Sequence, residues 1–230
     1  MENKSRKITW YAVLIGLAYL AIQHGMYLLG HEFALLLKIP AFLPKIPAID
    51  DAIPIISVFI IPYIWSYAFW AMGPVAVYKC EEKHYKDFMA GVIVALVLGM
   101  IALAVAPTYM DRNAEHLYDI RTGDIFEKIR LFWYTLDGET IAYNLLPSFH
   151  CLNSTLCYLG VMGRKELPLW FRIYSFVMAI LTYVATVCVK QHYFLDIFAG
   201  IAVAVIGYAV AKKFHLGRMF DPIIKKFKKP

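Results

Sequence analysis

The sequence predicts an all-α, polytopic membrane protein with six transmembrane helices in one bundle, and three observations carry that expectation. Composition comes first: of 230 residues 60% are hydrophobic and 17% charged, with a mean hydropathy of +0.57. That is more apolar surface than a water-soluble domain of this length buries in one core. Run length comes second, because ~20 apolar residues at ~1.5 Å each cross ~30 Å of hydrocarbon. Six such runs fill about half the chain and leave room for one membrane-embedded domain over residues 1–230. The third observation is where the basic residues stand, between the runs rather than on them. Only 13 Gly and 11 Pro beside 16% aromatic residues exclude collagen-like, low-complexity and disordered chains.

The elements follow in order. Lys4 to Lys7 precede an apolar run from Ile8 to Leu29, which is too long for a signal peptide and lacks a small-residue cleavage site, so it reads as a retained first span. The second run, Ile53 to Met72, contains Pro54 and Pro62, whose freed carbonyls need neighbouring partners. Phe88 to Ala106 is the third, Ser148 to Met162 a short fourth, Leu169 to Val189 the fifth and Tyr193 to Ala211 the sixth. Gly200 and Gly207 in the last run predict close helix contact. Between the first two runs, Gly30 to Ala52 mixes leucines with Pro40, Pro44 and Pro47, and is expected to lie in the membrane interface. The connection from Pro107 to Pro147 is long and polar, with Trp133 and Tyr134 as expected interfacial anchors, and loops of this length are usually functional.

Orientation follows from charge. Lys4, Arg6, Lys7, Lys79, Lys83, Lys86, Arg164, Lys165, Arg172, Lys212, Lys213, Arg218, Lys225, Lys226, Lys228 and Lys229 fall on one side, sixteen of the 23 basic residues. The positive-inside rule therefore puts both termini in the cytoplasm, with the basic tail 212–230 at the anionic inner leaflet of a plasma (inner) membrane. A net charge of +6 placed this way does not predict a nucleic-acid partner. Cys80, Cys151, Cys157 and Cys188 show no paired spacing and read as apolar packing residues.

Ionisable residues at membrane depth are expensive, so those present are candidates for function. Arg112, His150, Lys190, His192 and Asp196 all map to the outer boundary. His192 and Asp196 are four apart, so a helix puts the carboxylate on the imidazole and fixes its tautomer, as in hydrolase triads. Pro147 and Ser148 open a helix whose free N–H groups suit an anion beside His150. Arg112 and Lys190 add cations for phosphate oxygens. Together these groups describe phosphoryl transfer, with His192 attacking phosphorus and His150 protonating the leaving oxygen.

These residues resemble the type 2 phosphatidic acid phosphatase superfamily, in its membrane-embedded, metal-independent branch related to sphingomyelin synthases and inositolphosphotransferases. "LPSFH" (Leu146 to His150) is similar to its second motif, "KQHYFLDIFAG" (Lys190 to Gly200) to its third and "APTYMDR" (Ala106 to Arg112) to its first. The resemblance implies His192 as nucleophile, His150 as general acid, Asp196 as the partner of His192, and Arg112, Lys190 and Ser148 at the phosphate. It also implies Tyr109, Asp137 and Asn144 as pocket residues, no cofactor and no metal. Two motif cations are missing, since Val105 and Thr186 stand in their places, and Lys190 is the implied substitute.

The expected function is hydrolysis of a lipid phosphate ester at the outer face through a phosphohistidine. Transfer of a phospho-headgroup to another lipid hydroxyl is the alternative and would use the same residues. Two other classes stand behind these: a divalent-metal enzyme using His150, His192 and Asp196, which the neighbouring cations oppose, and a non-enzymatic phospholipid transporter.

Overall fold

The computed structural model describes residues 10–137 and 140–222. Lys4, Arg6, Lys7, Ile8 and Lys225 to Lys229 lie outside the described residues. Among the described residues five long helices and one shorter helix run in alternating directions. Helix α1 (Trp10–Leu36) passes the expected end at Leu29, because nothing breaks it before Lys38 turns left-handed and Pro40 follows. A one-turn helix α2 (Pro47–Asp50) and a 3-10 turn (Ser57–Phe59) lead into α3 (Ile60–Val77). Pro54 precedes α3 and Pro62 sits in its first turn, where amides lack helical partners anyway. Pro74 is the proline inside the helix, and it cannot donate to Trp70 four residues back; the Cys157 thiol, 3.9 Å from the Trp70 carbonyl, covers that acceptor. All four cysteines are free and buried.

Helices α4 (Glu82–Val105), α6 (Phe149–Val161), α7 (Leu169–Cys188) and α8 (Phe194–Lys213) complete the bundle. Five segments, α1, Ser57–Val77, α4, α7 and α8, are long and apolar enough to cross a membrane. Helix α6, the expected short fourth span, has 13 residues, a rise of ~20 Å, and falls short of that length. It packs on α3, α4, α7 and α8, and ten of its residues are buried. Its small Cys, Ser, Thr and Gly residues suit close helix contact rather than lipid. The two glycines expected at close contacts are at them. A Cβ on Gly200 would meet the Ser148 carbonyl at 2.5 Å, and one on Gly207 would meet the Ala95 backbone at 2.6 Å.

The long connection between α4 and α6 is structured. Strands β1 (Tyr109–Asp111) and β2 (Ile141–Tyr143) pair antiparallel, Met110 opposite Ala142, so the all-α expectation gains a small sheet. Phe42 extends it by backbone bonds to Pro107 and Tyr109. Helix α5 (Ile125–Leu136) is amphipathic; Asp124 caps it, its side chain accepting from the Glu127 amide at 2.8 Å. Its exposed Ile125, Phe132 and Leu136 face outward. Tyr134, expected as an interfacial anchor, is instead completely buried beneath this layer, donating to the Val189 carbonyl at 2.6 Å. Trp133 stays partly exposed and packs on Tyr63 and Tyr67.

Candidate active site

The site lies where α4 and α7 end and α3, α6 and α8 begin, so one end of the bundle collects residues far apart in the chain. Helix α7 closes on a Schellman turn, with Lys190 left-handed at φ 52°. The Lys190 amide bonds the Val187 carbonyl and the Gln191 amide bonds that of Thr186. That reversal aims Gln191 and His192 at the pocket. His192 therefore precedes α8 rather than lying on it, which corrects the expected helical pairing with Asp196. The two still meet. Asp196 is the third residue of α8, its Oδ2 accepts from the Tyr193 amide at 2.8 Å, and the same oxygen is 3.3 Å from His192 Nδ1. The Leu145 carbonyl is 3.0 Å from that nitrogen. Both partners only accept, so Nδ1 carries the proton and Nε2 keeps its lone pair.

His150 is in the first turn of α6, after Ser148, whose Oγ accepts from the Cys151 amide at 3.3 Å. Its ring stacks on Tyr63 at 4.2 Å between centroids and meets Tyr67 and Trp70 edge-on. His150 Nε2 is buried and unpartnered, and the ring lies 5.7 Å from that of His192. Both histidines line a cavity of about 60 Å³. Helix α1 contributes Gln23, His24 and Tyr27 to it, and α3 contributes Tyr63, Tyr67 and Trp70. Asp137 and Gln191 stand on the opposite wall.

None of the three residues expected at the phosphate lines this cavity. Arg112 is fully buried behind it, its guanidinium over the Tyr134 ring and bonded to the Tyr134 carbonyl, Asp137 Oδ2 and Gln191 Oε1 at 3.1, 2.9 and 2.9 Å. Lys190 turns away because its backbone is left-handed, and its Nζ donates to the Asp50 carbonyl at 2.7 Å. Ser148 is occupied as the cap of α6. Of the expected pocket residues Asp137 lines the cavity, where burial raises its pKa and the Arg112 ion pair opposes the rise. Asn144 holds α1 instead, donating to the Tyr27 carbonyl at 3.1 Å, and Tyr109 pairs in the sheet. Among the described residues no group of three His, Cys, Asp or Glu side chains is arranged to hold a metal ion, and Asp196 lies behind His192 rather than beside His150.

A family model described as the PAP2 superfamily matches residues 27–210. The chain belongs to the PAP2 superfamily. No curated protein and no solved structure matches it. Membership brings phosphatase- or phosphotransferase-type chemistry on lipid phosphates, and it agrees with the five apolar helices in making this an integral membrane protein. The matched region holds both histidines, Asp196 and Arg112, whereas Gln23 and His24 of the pocket precede it.

Sequence reasoning missed the α1 and α3 side of this PAP2-superfamily pocket. His24 and Tyr27 sit inside an apolar run, and a polar residue within a span was the available signal. Gln191 was passed over between two charged neighbours. Asp50 was missed too: Oδ2 accepts from the Ile46 amide at 2.7 Å and Oδ1 from the Phe194 amide at 2.8 Å, tying the first connection to the start of α8.

Proposed function

We propose that this protein hydrolyses a lipid phosphate ester at the extracytoplasmic face through a phosphohistidine on His192. The observation that carries the reading is the fixed tautomer of His192, held at Nδ1 by Leu145 and Asp196, with the unpartnered Nε2 of His150 in the same cavity. His192 Nε2 attacks phosphorus and the bond from phosphorus to the ester oxygen breaks. His150 Nε2 gives its proton to that leaving oxygen. Asp196 stabilises the imidazolium side of His192 as the N–P bond forms. Water then attacks the phosphoryl group, His150 takes its proton, and inorganic phosphate leaves with His192 restored.

Water as acceptor makes the reaction a hydrolysis, and a lipid hydroxyl in its place would make it a transfer on the same residues. The side of the membrane rests on the distribution of basic residues, with α6 counted as the fourth of six passes and both termini cytoplasmic.

Rapid quenching with a radiolabelled phosphate ester tests the roles. The wild type should yield an acid-labile, base-stable phosphoenzyme in the presence of chelator, and His192→Ala should yield none. His150→Ala should slow an alkyl phosphate far more than a phenyl phosphate, because a phenolate leaves with little help from a proton. Label persisting without His192 would overturn the mechanism. Scoring released phosphate and new lipid separately distinguishes hydrolysis from transfer.

A further inference from the structure

Among the described residues no Lys or Arg lines the cavity shared by the two histidines, so other donors must hold a phosphoryl group there. Two carboxamides answer that. Arginine can only donate, so the Arg112 bond at 2.9 Å fixes which end of Gln191 is oxygen. Gln191 Nε2 must then point the other way, and it is buried without a partner on a residue that is 3% exposed and lines the cavity. A buried, unused N–H₂ group is costly unless a ligand fills it.

The same logic fixes Gln23 on the facing helix. Asn153 Oδ1 accepts from the Tyr19 hydroxyl, so its Nδ2 is the donor to the Phe149 carbonyl at 2.7 Å and to Gln23 Oε1 at 3.1 Å. The oxygen of Gln23 is thereby committed, and its N–H₂ is what remains for the cavity that it lines. Both amides are preset by partners behind the wall, Arg112 on one side and the Tyr19–Asn153 pair on the other.

We propose that the carboxamide N–H groups of Gln191 and Gln23 bind the phosphoryl oxygens of the substrate, with Arg112 holding Gln191 in register from behind. The inference rests on the phosphohistidine reading and adds the oxyanion donors to it. Neutral, preorganised donors suit charge that develops in an enclosed site, because they need no reorientation when it appears.

Orthovanadate and inorganic phosphate, as tetrahedral oxyanion probes, test this on the purified full chain in detergent. Gln191→Met and Gln23→Met should each weaken both anions on the order of 10- to 100-fold, the range for a hydrogen bond to a charged group. Gln191→Glu keeps an acceptor for Arg112 and loses the donor. It should melt like the wild type and bind both anions at least as weakly as Gln191→Met, whose uncharged side chain separates loss of the donor from charge repulsion. Wild-type affinity in any one of these variants overturns the assignment of that residue. If the wild type itself binds neither anion, the phosphohistidine reading falls and this inference with it; if it binds both and the variants do too, only the inference falls.

Discussion

Lys190 shows how backbone conformation decides what a side chain can reach. Its charge and its place two residues before His192 mark it as a phosphate ligand, yet at φ 52° it occupies the position where helices prefer glycine. A non-glycine residue there costs about 1–2 kcal/mol, and its ammonium, its pKa lowered by burial against the opposing pull of Asp50 and Glu115, lies against the Asp50 carbonyl. Lys190→Gly should therefore keep turnover within about tenfold while retaining the turn that presents His192. A loss of about 10²- to 10³-fold, typical of removing a donor to developing charge, would show in steady-state kinetics that the ammonium reaches the phosphate.

At the scale of elements, the layer over the site end of the bundle depends on one carboxylate. Glu127 in the first turn of α5 accepts from the amides of Arg121, Thr122 and Gly123, the last at 2.6 Å. The Gly123 amide above all, then those of Arg121 and Thr122, outweigh burial and bring its pKa from 4.5 to about 2. A depressed carboxylate stabilises the fold above its unfolded value and loses that contribution as pH falls through the folded one. Glu127→Gln should thus lower loop stability at neutral pH and remove the pH dependence between 4.5 and about 2, measured by limited proteolysis across Arg121. The contact of α8 with α6 is equally specific. Gly200→Ala places a Cβ against the Ser148 carbonyl and should destabilise by about 1–3 kcal/mol, read as a lower melting midpoint in detergent. Gly25→Ala, where a Cβ meets nothing, should melt at or above the wild type.

For the whole molecule, the site end of the bundle carries Thr122 and the opposite end carries Lys165, both exposed. All four native cysteines are buried, so introduced ones report cleanly. In intact cells Thr122→Cys should react with an impermeant thiol reagent and Lys165→Cys should not. The reverse pattern would put the catalytic cavity on the cytoplasmic side and contradict the charge distribution of the connections.

Part of the candidate site was legible in the chain. His150, His192 and Asp196 stand out because ionisable groups are rare at membrane depth, and the apolar runs locate all six helices, although the bounds of α1, α3 and α4 differ from the runs by several residues. Helix α5 had a readable start as well, since Asp124 followed three residues later by Glu127 is a capping pattern that was passed over inside a polar loop. Local spacing could not say where each charge points. Arg112 backs Gln191 instead of facing the cavity and Lys190 serves Asp50, because a guanidinium's partners and a left-handed turn are settled by packing between distant segments. The pocket wall of Gln23, Tyr27, Tyr63 and Trp70 likewise exists only once α1 and α3 close on α6. Hydropathy and motif spacing are properties of neighbours in sequence and determined the membrane class and the two histidines; cavity shape and donor direction are properties of neighbours in space, and the tertiary structure alone decided them.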